Sequence, residues 1–134
     1  MRGPTDPIED PTPEFVDAVL AIVATIPSAR VMTYGDIASR LTGMPDLDGA
    51  TGSYGARLVG QVMSRHGHAS AWWKVIRSTG HPPKGYESRA LIHYEAEGTP
   101  LVGTGETYRI DLRQARFDPD QPDQPTEPVQ ESLF

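Results

Sequence analysis

The sequence predicts one helix-rich α+β domain with a small sheet or hairpin, on three observations. Apolar residues recur at helical spacing in several segments between residues 13 and 97, short β-type runs lie between and after them, and both ends change composition abruptly. With 134 residues, 37% of them hydrophobic, the chain can bury one modest core. The ends, "MRGPTDPIEDP" and "DPDQPDQPTEPVQ", are acidic, Pro-rich and too poor in apolar residues to offset chain entropy. The expected organisation is a disordered arm over 1–12, a domain over 13–117 and a disordered acidic tail over 118–134.

Each element has a local cause. Thr12 is placed as N-cap and Pro13 at the first helical position, after which Phe15, Val16, Val19, Leu20, Val23 and Ile26 form one apolar face until Pro27. "RVMTY" reads as a short extended piece, and Thr33 with Asp36 makes a capping-box pattern for a second helix carrying Ile37, Ala38 and Leu41. After Gly43 and the loop "GMPDLDGATG", Ser53 is placed as cap of a third helix reaching Arg65. Gly55, Ala56 and Gly60 give that helix a small side, despite a cost of about 1 kcal/mol per interior glycine. Two short helices joined by a glycine loop fit a helix-turn-helix whose second helix bears Arg57; ordinary helix packing fits the same spacing. "WWKVI" reads as a strand, "RSTGHPPKG" as a wing, and a fourth helix runs from about Tyr86 to Glu97 before Gly98. "LVGTGETYRIDL" reads as a hairpin with Tyr108, Ile110 and Leu112 on one face.

Charge is unevenly distributed. The net −6 comes from the ends, which carry −3 over 1–14 and −5 over 118–134, while 15–117 holds 11 basic and 9 acidic residues. Within it, Arg57, Arg65, Lys74, Arg77, Lys84 and Arg89 face Glu87 alone over 54–89, a local basic surface suited either to a polyanion or to plain solvation. The chain has no cysteine, which excludes disulfides, thiolate metal sites and a thiol nucleophile. No apolar run approaches a membrane span and no signal pattern opens the chain, so a cytoplasmic protein without membrane contact is expected.

Other sites are poorly supported. "DLDG" at 46–49 opens like a calcium loop, but its twelfth position is Arg57 where a carboxylate is required. His66 and His68 lack further ligands nearby, so neither metal nor cofactor is expected. No Ser-His-Asp set is suggested, and Asp36, Glu87 and Glu95 read as helix-surface charges.

The runs "IPSARVMTYGDIASRLTG", "ARLVGQVM", "WWKVIRSTG" and "RALIHYEAEGTPL" resemble, in order and spacing, the DNA-binding domain of the O6-alkylguanine-DNA alkyltransferases over about residues 15–117. The resemblance implies a winged helix-turn-helix fold of the alkyltransferase type. In those enzymes a Pro-Cys-His-Arg-Val motif supplies the alkyl-accepting cysteine; aligned on Val75, Trp72 takes the cysteine's place and Trp73 the histidine's. A tryptophan there marks the alkyltransferase-like proteins, which bind alkylated bases without removing the alkyl group, and the lack of any thiol agrees independently.

By position, the resemblance implies that Tyr34 presses on the phosphate beside the damaged nucleotide and that Arg57 fills the gap left by the flipped base. Ser53 and Ala56 would offer a helix N-terminus to phosphate. Trp72, Trp73, Val75 and Lys84 would line the pocket for the alkylated base, with Ile76 on the same strand. Ala71, Trp73 and Lys74 depart from the family's Pro, His and Arg, and the loop 43–53 is longer than usual. The ending "QESLF" resembles the peptide that docks bacterial proteins on the sliding clamp, through Gln130, Ser132, Leu133 and Phe134. The expected activity is therefore a monomeric, non-enzymatic sensor of O6-alkylguanine in duplex DNA, nucleoid-associated, that passes the lesion to another pathway such as nucleotide excision repair. A sequence-specific helix-turn-helix regulator that never flips a base is the alternative; a glycosylase using Lys74 or Lys84 as nucleophile has little support.

Overall fold

The computed structural model describes residues 10–120, and the clamp-like peptide 130–134 lies outside them. Helix α1 (Pro13–Thr25) starts as its sequence dictates: the Thr12 hydroxyl accepts from the Phe15 N–H at 3.1 Å, and Pro13 occupies the first turn. Phe15, Val19 and Val23 are buried along one face, and Ile26 closes the helix. The extended piece pairs as strand β1 (Met32–Thr33), and Thr33 then caps α2 (Tyr34–Ser39) through a complete capping box with Asp36.

Between α2 and α3 (Tyr54–His66) the long connection is pinned from both sides. Leu47, in a 3₁₀ turn, is buried in the core, and the Asp46 carboxylate accepts from both the N–H and the hydroxyl of Thr12 at 2.8 Å. The would-be calcium-loop aspartate is thus a tether for the start of α1. Small residues do what their size allows: a Cβ on Gly55 would lie 3.0 Å from the Ala38 Cβ, so α3 approaches α2 closely at that point. Ser53 stands at the N-cap, but its side chain makes no capping bond. Its ψ of 12° is not the extended geometry that turns a serine hydroxyl toward the first-turn N–H groups.

The segment expected as one strand divides. Residues Trp72–Lys74 form a 3₁₀ turn, and only Val75–Ile76 is strand, β2, parallel to β1 with Met32 opposite Val75 and Thr33 opposite Ile76. In a strand the two indoles would point to opposite faces; the turn instead brings their rings edge to face at 5.8 Å. Helix α4 (Glu87–Glu97) ends at Gly98 in the left-handed region, φ 75°. Strands β3 (Leu101–Val102) and β4 (Arg109–Ile110) make the expected antiparallel pair. Leu112 departs from the expectation, because Asp111 caps a short helix, α5 (Leu112–Ala115), that begins there.

Two hydrophobic clusters result. One unites α1, α2 and α3 with Met32, Val75 and Phe117; the other joins Val31, Ile76, Ala90, Tyr94, Tyr108, Ile110 and Ala115. Val75 and Ile76 of β2 point to opposite clusters, as do Met32 of β1 and Val31 just before it, and Trp72 packs against both. Contacts also reach past the expected domain limits: Asp10 pairs with Arg65 at 2.9 Å, and Asp120 holds Arg40 through both carboxylate oxygens. Among the described residues no helix is long and apolar enough to cross a membrane.

Candidate nucleic-acid interface

A cleft of about 920 Å³ opens between α3, α4 and the wing, within the roughly 300–1,000 Å³ range of small-ligand sites. Gly60, Met63 and Ser64 line it from α3, Tyr34 from the start of α2, and Pro83 with Lys84 from the wing. Trp72 lies between these and the α4 side. Its ring meets Tyr86 at 5.5 Å and His93 at 5.8 Å, both edge to face, so three rings converge on the same space.

Tyr34 sits against the bare flank of α3, its ring 3.9 Å from where a Gly60 Cβ would stand. Burial raises the pKa of its hydroxyl although Arg77 pulls the other way, so the group stays protonated at neutral pH. That hydroxyl makes no hydrogen bond among the described residues. Arg57 is exposed and forms no ion pair among them. It precedes the cleft-lining Gly60 by three residues and Ser64 by seven, and therefore stands on the same helix face, one turn beyond the cleft's edge. Ala56 lines a second, smaller groove with Gly35 and Ser39, and Ser53 is exposed beside it at the start of α3.

Two residues expected in the pocket lie elsewhere. Val75 is fully buried in the core, because β2 faces inward on both sides. Trp73 turns away from the cleft: its ring stacks on His93 at 3.7 Å, 7° from parallel, and its Nε1–H donates to Glu97 at 3.0 Å. The other Glu97 oxygen accepts from the Ala29 N–H at 3.0 Å, and the Tyr94 hydroxyl donates to the Trp73 carbonyl at 2.6 Å. A half-buried indole that is stacked on one face and has its N–H satisfied is a structural member rather than a surface reader. Lys74 is similarly engaged, its ammonium donating to the Ile26 carbonyl at 3.0 Å, and it does not line the cleft. His68 does, but no group of three metal-ligating side chains occurs among the described residues.

Tyr86, Arg89 and His93 are cleft residues that sequence reasoning missed. Their spacing of three and four along one helix was a usable signal, since it places all three on one face of the α4 region.

Residues 14–98 match the family described as "6-O-methylguanine DNA methyltransferase, DNA binding domain". Alkyltransferase-like protein 1 of Schizosaccharomyces pombe is 37% identical over 115 residues, which is 79% of this chain and 96% of that protein. The chain belongs to the alkyltransferase-like family. The DNA base-flipping protein of Escherichia coli is 34% identical over 111 residues, 78% of this chain and 74% of that one. In structure, S. pombe Atl1 in complex with damaged DNA containing O6-carboxymethylguanine superposes with a TM-score of 0.63 at 34% identity, over 81% of this chain and 99% of that chain. A second structure of that protein with DNA gives 0.63 at 32%. Winged helix-turn-helix architecture of the alkyltransferase type is therefore the fold of this chain.

Proposed function

We propose that this chain binds duplex DNA at an O6-alkylated guanine, receives the flipped nucleotide in the Trp72 cleft and leaves the alkyl group in place. The observation that carries the reading is the occupant of the cleft: an indole faces the space, in a chain without a single cysteine. An aromatic ring stacked on a base contributes about 1–3 kcal/mol, whereas nothing present can accept a carbon atom as a thiolate does. Tyr34 at the cleft edge would press on the backbone, Arg57 would occupy the vacated stack, and the N–H groups at the start of α3 near Ser53 and Ala56 would meet phosphate. Lys84 would face the base from the wing.

As a sensor without chemistry, the protein must hand the lesion on; the resemblance points to nucleotide excision repair proteins. A monomer acting at the nucleoid in the cytoplasm fits a DNA partner. The "QESLF" peptide, with Gln130, Ser132, Leu133 and Phe134, would tether it to a sliding clamp. Titration of purified clamp with the full chain and with one ending at Val129 tests that tether, which equal binding would rule out.

The central test compares two duplexes that differ by one O6-methyl group, in several sequence contexts. A lesion sensor prefers the modified duplex in each context, and the methyl group stays on the DNA after long incubation. Binding governed by sequence rather than lesion would instead identify a regulator, and recovery of plain guanine would identify an enzyme.

A further inference from the structure

We propose that the wing and α4 wall of the cleft, formed by Lys84, Arg89 and His93, selects O6 substituents that carry a carboxylate over neutral ones of the same size. The inference rests on the cleft being the seat of the flipped base, and concerns what the wall opposite α3 does to the substituent.

The charge lining the cleft is one-sided. Lys84 and Arg89 bring basic side chains, His68 and His93 add two imidazoles, and among the described residues no carboxylate lines the space. The acid next to this wall, Glu87, is turned elsewhere: its two oxygens accept from the Gly85 N–H at 3.1 and 3.2 Å, and one lies 3.7 Å from the Arg77 guanidinium. The wall's own donors are unspent. Lys84 makes no hydrogen bond or ion pair among the described residues, its charge acting on Glu87 only at a distance, and neither ring nitrogen of His93 has a hydrogen-bond partner among them. The His93 ring is held by its face against Trp73, at 3.7 Å, and by contact with the Trp72 ring. That clamp leaves its N–H edge as the part available to a ligand. Arg89 is oriented as well, its guanidinium lying over the Tyr86 ring at 5.4 Å.

Lys84 and Arg89 are exposed and His93 is half-buried, so the wall gains from an incoming anion as a bound duplex covers the cleft and excludes water, which strengthens charge-assisted hydrogen bonds. A neutral alkyl group takes from the same cleft only apolar contact with side chains such as Met63 and Ile92. A carboxymethyl group has the length of a small alkyl chain and ends in two acceptors for this wall.

The test uses the full chain and three duplexes identical except at one base: guanine, O6-carbamoylmethylguanine and O6-carboxymethylguanine. The amide and the acid are nearly isosteric, so their affinity ratio isolates charge from size. At low salt the acid is expected to bind about fivefold tighter than the amide, the upper end of what an exposed ion pair contributes. The ratio should shrink as added salt screens the wall. Lys84→Met and His93→Gln, singly and together, should bring the ratio toward one. Equal affinity of wild type for acid and amide overturns the proposal, as do variants that weaken both duplexes alike and keep the ratio. If both modified duplexes bind better than guanine but equally well, only the charge preference falls. If neither exceeds guanine, the lesion-binding reading falls with it.

Discussion

Replacing Arg57 with alanine separates folding from recognition. The side chain is exposed and holds no ion pair among the described residues, so its removal should change stability by no more than about 0.5 kcal/mol. Its position one turn beyond the Gly60 edge of the cleft places it where the duplex stack would open. Extruding a base costs a few kcal/mol, and a side chain that fills the gap offsets a share of it. Taking that share as about 2 kcal/mol, Arg57→Ala should weaken binding to an O6-methylguanine duplex about 30-fold. The unmodified duplex, bound without extrusion, should lose only a phosphate-sized increment, severalfold at most. Anisotropy titrations give both affinities, and a fluorescent base analogue beside the lesion reports extrusion in the same samples. Unchanged lesion preference would refute the role. So would an equal loss on both duplexes, because it would make Arg57 a phosphate contact.

Other perturbations test other parts of the argument. Trp72→Cys alone should not acquire efficient alkyl transfer, because Trp73 takes the place of the histidine that the resemblance pairs with the cysteine and its indole N–H donates to Glu97; one added methyl mass on the protein would count against this. Gly55→Val should destabilise the fold by about 2 kcal/mol, read as a lower unfolding midpoint, since the new carbon meets the Ala38 methyl at 3.0 Å; an unchanged midpoint would mean that α2 and α3 are loosely packed. Burial acts to raise the Asp36 pKa, but the Arg116 guanidinium and the Thr33 backbone and hydroxyl outweigh it and hold the carboxyl below its usual range. The stabilisation from this shift is present in full above the ordinary carboxylate pKa of about 4 and is lost as pH falls through the lower folded value. Asp36→Ala should therefore cost about 1 kcal/mol at neutral pH and less in acid; a constant cost across that window would contradict the linkage.

The helices were legible because their signals are local. Thr12 with Pro13, Thr33 with Asp36, and Gly98 each act within a turn of where they stand, and the structure uses them in those roles. Ser53 looked equally good as a cap but lacks the backbone angle, which the long loop before it sets. The double tryptophan was half legible. Trp72 belongs to the cleft, yet nothing near Trp73 in sequence announces that His93 and Glu97, 20 and 24 positions downstream, will draw it inward and turn a strand into a 3₁₀ bend. The α4 wall was missed for the same reason: a helix face acquires a function only when another element is placed opposite. At the margins, Asp10 and Asp120 read as parts of acidic arms, and the basic residues they join lie 55 and 80 positions away.

Trp72 touches both hydrophobic clusters, and the cleft above it draws its walls from α2 and α3 on one side and from α4 on the other. A guest in that space therefore braces two halves whose shared framework is otherwise a pair of two-residue strands and the residues around them. Such bracing has a thermodynamic readout independent of any DNA-binding assay. A ligand at a hundredfold excess over its dissociation constant raises the folded state's stability by about 2.7 kcal/mol. Because the guest spans the junction, that gain should appear as slowed amide exchange in α3 and α4 together, so the protein's own melting behaviour would serve as a meter of which damaged bases it accepts.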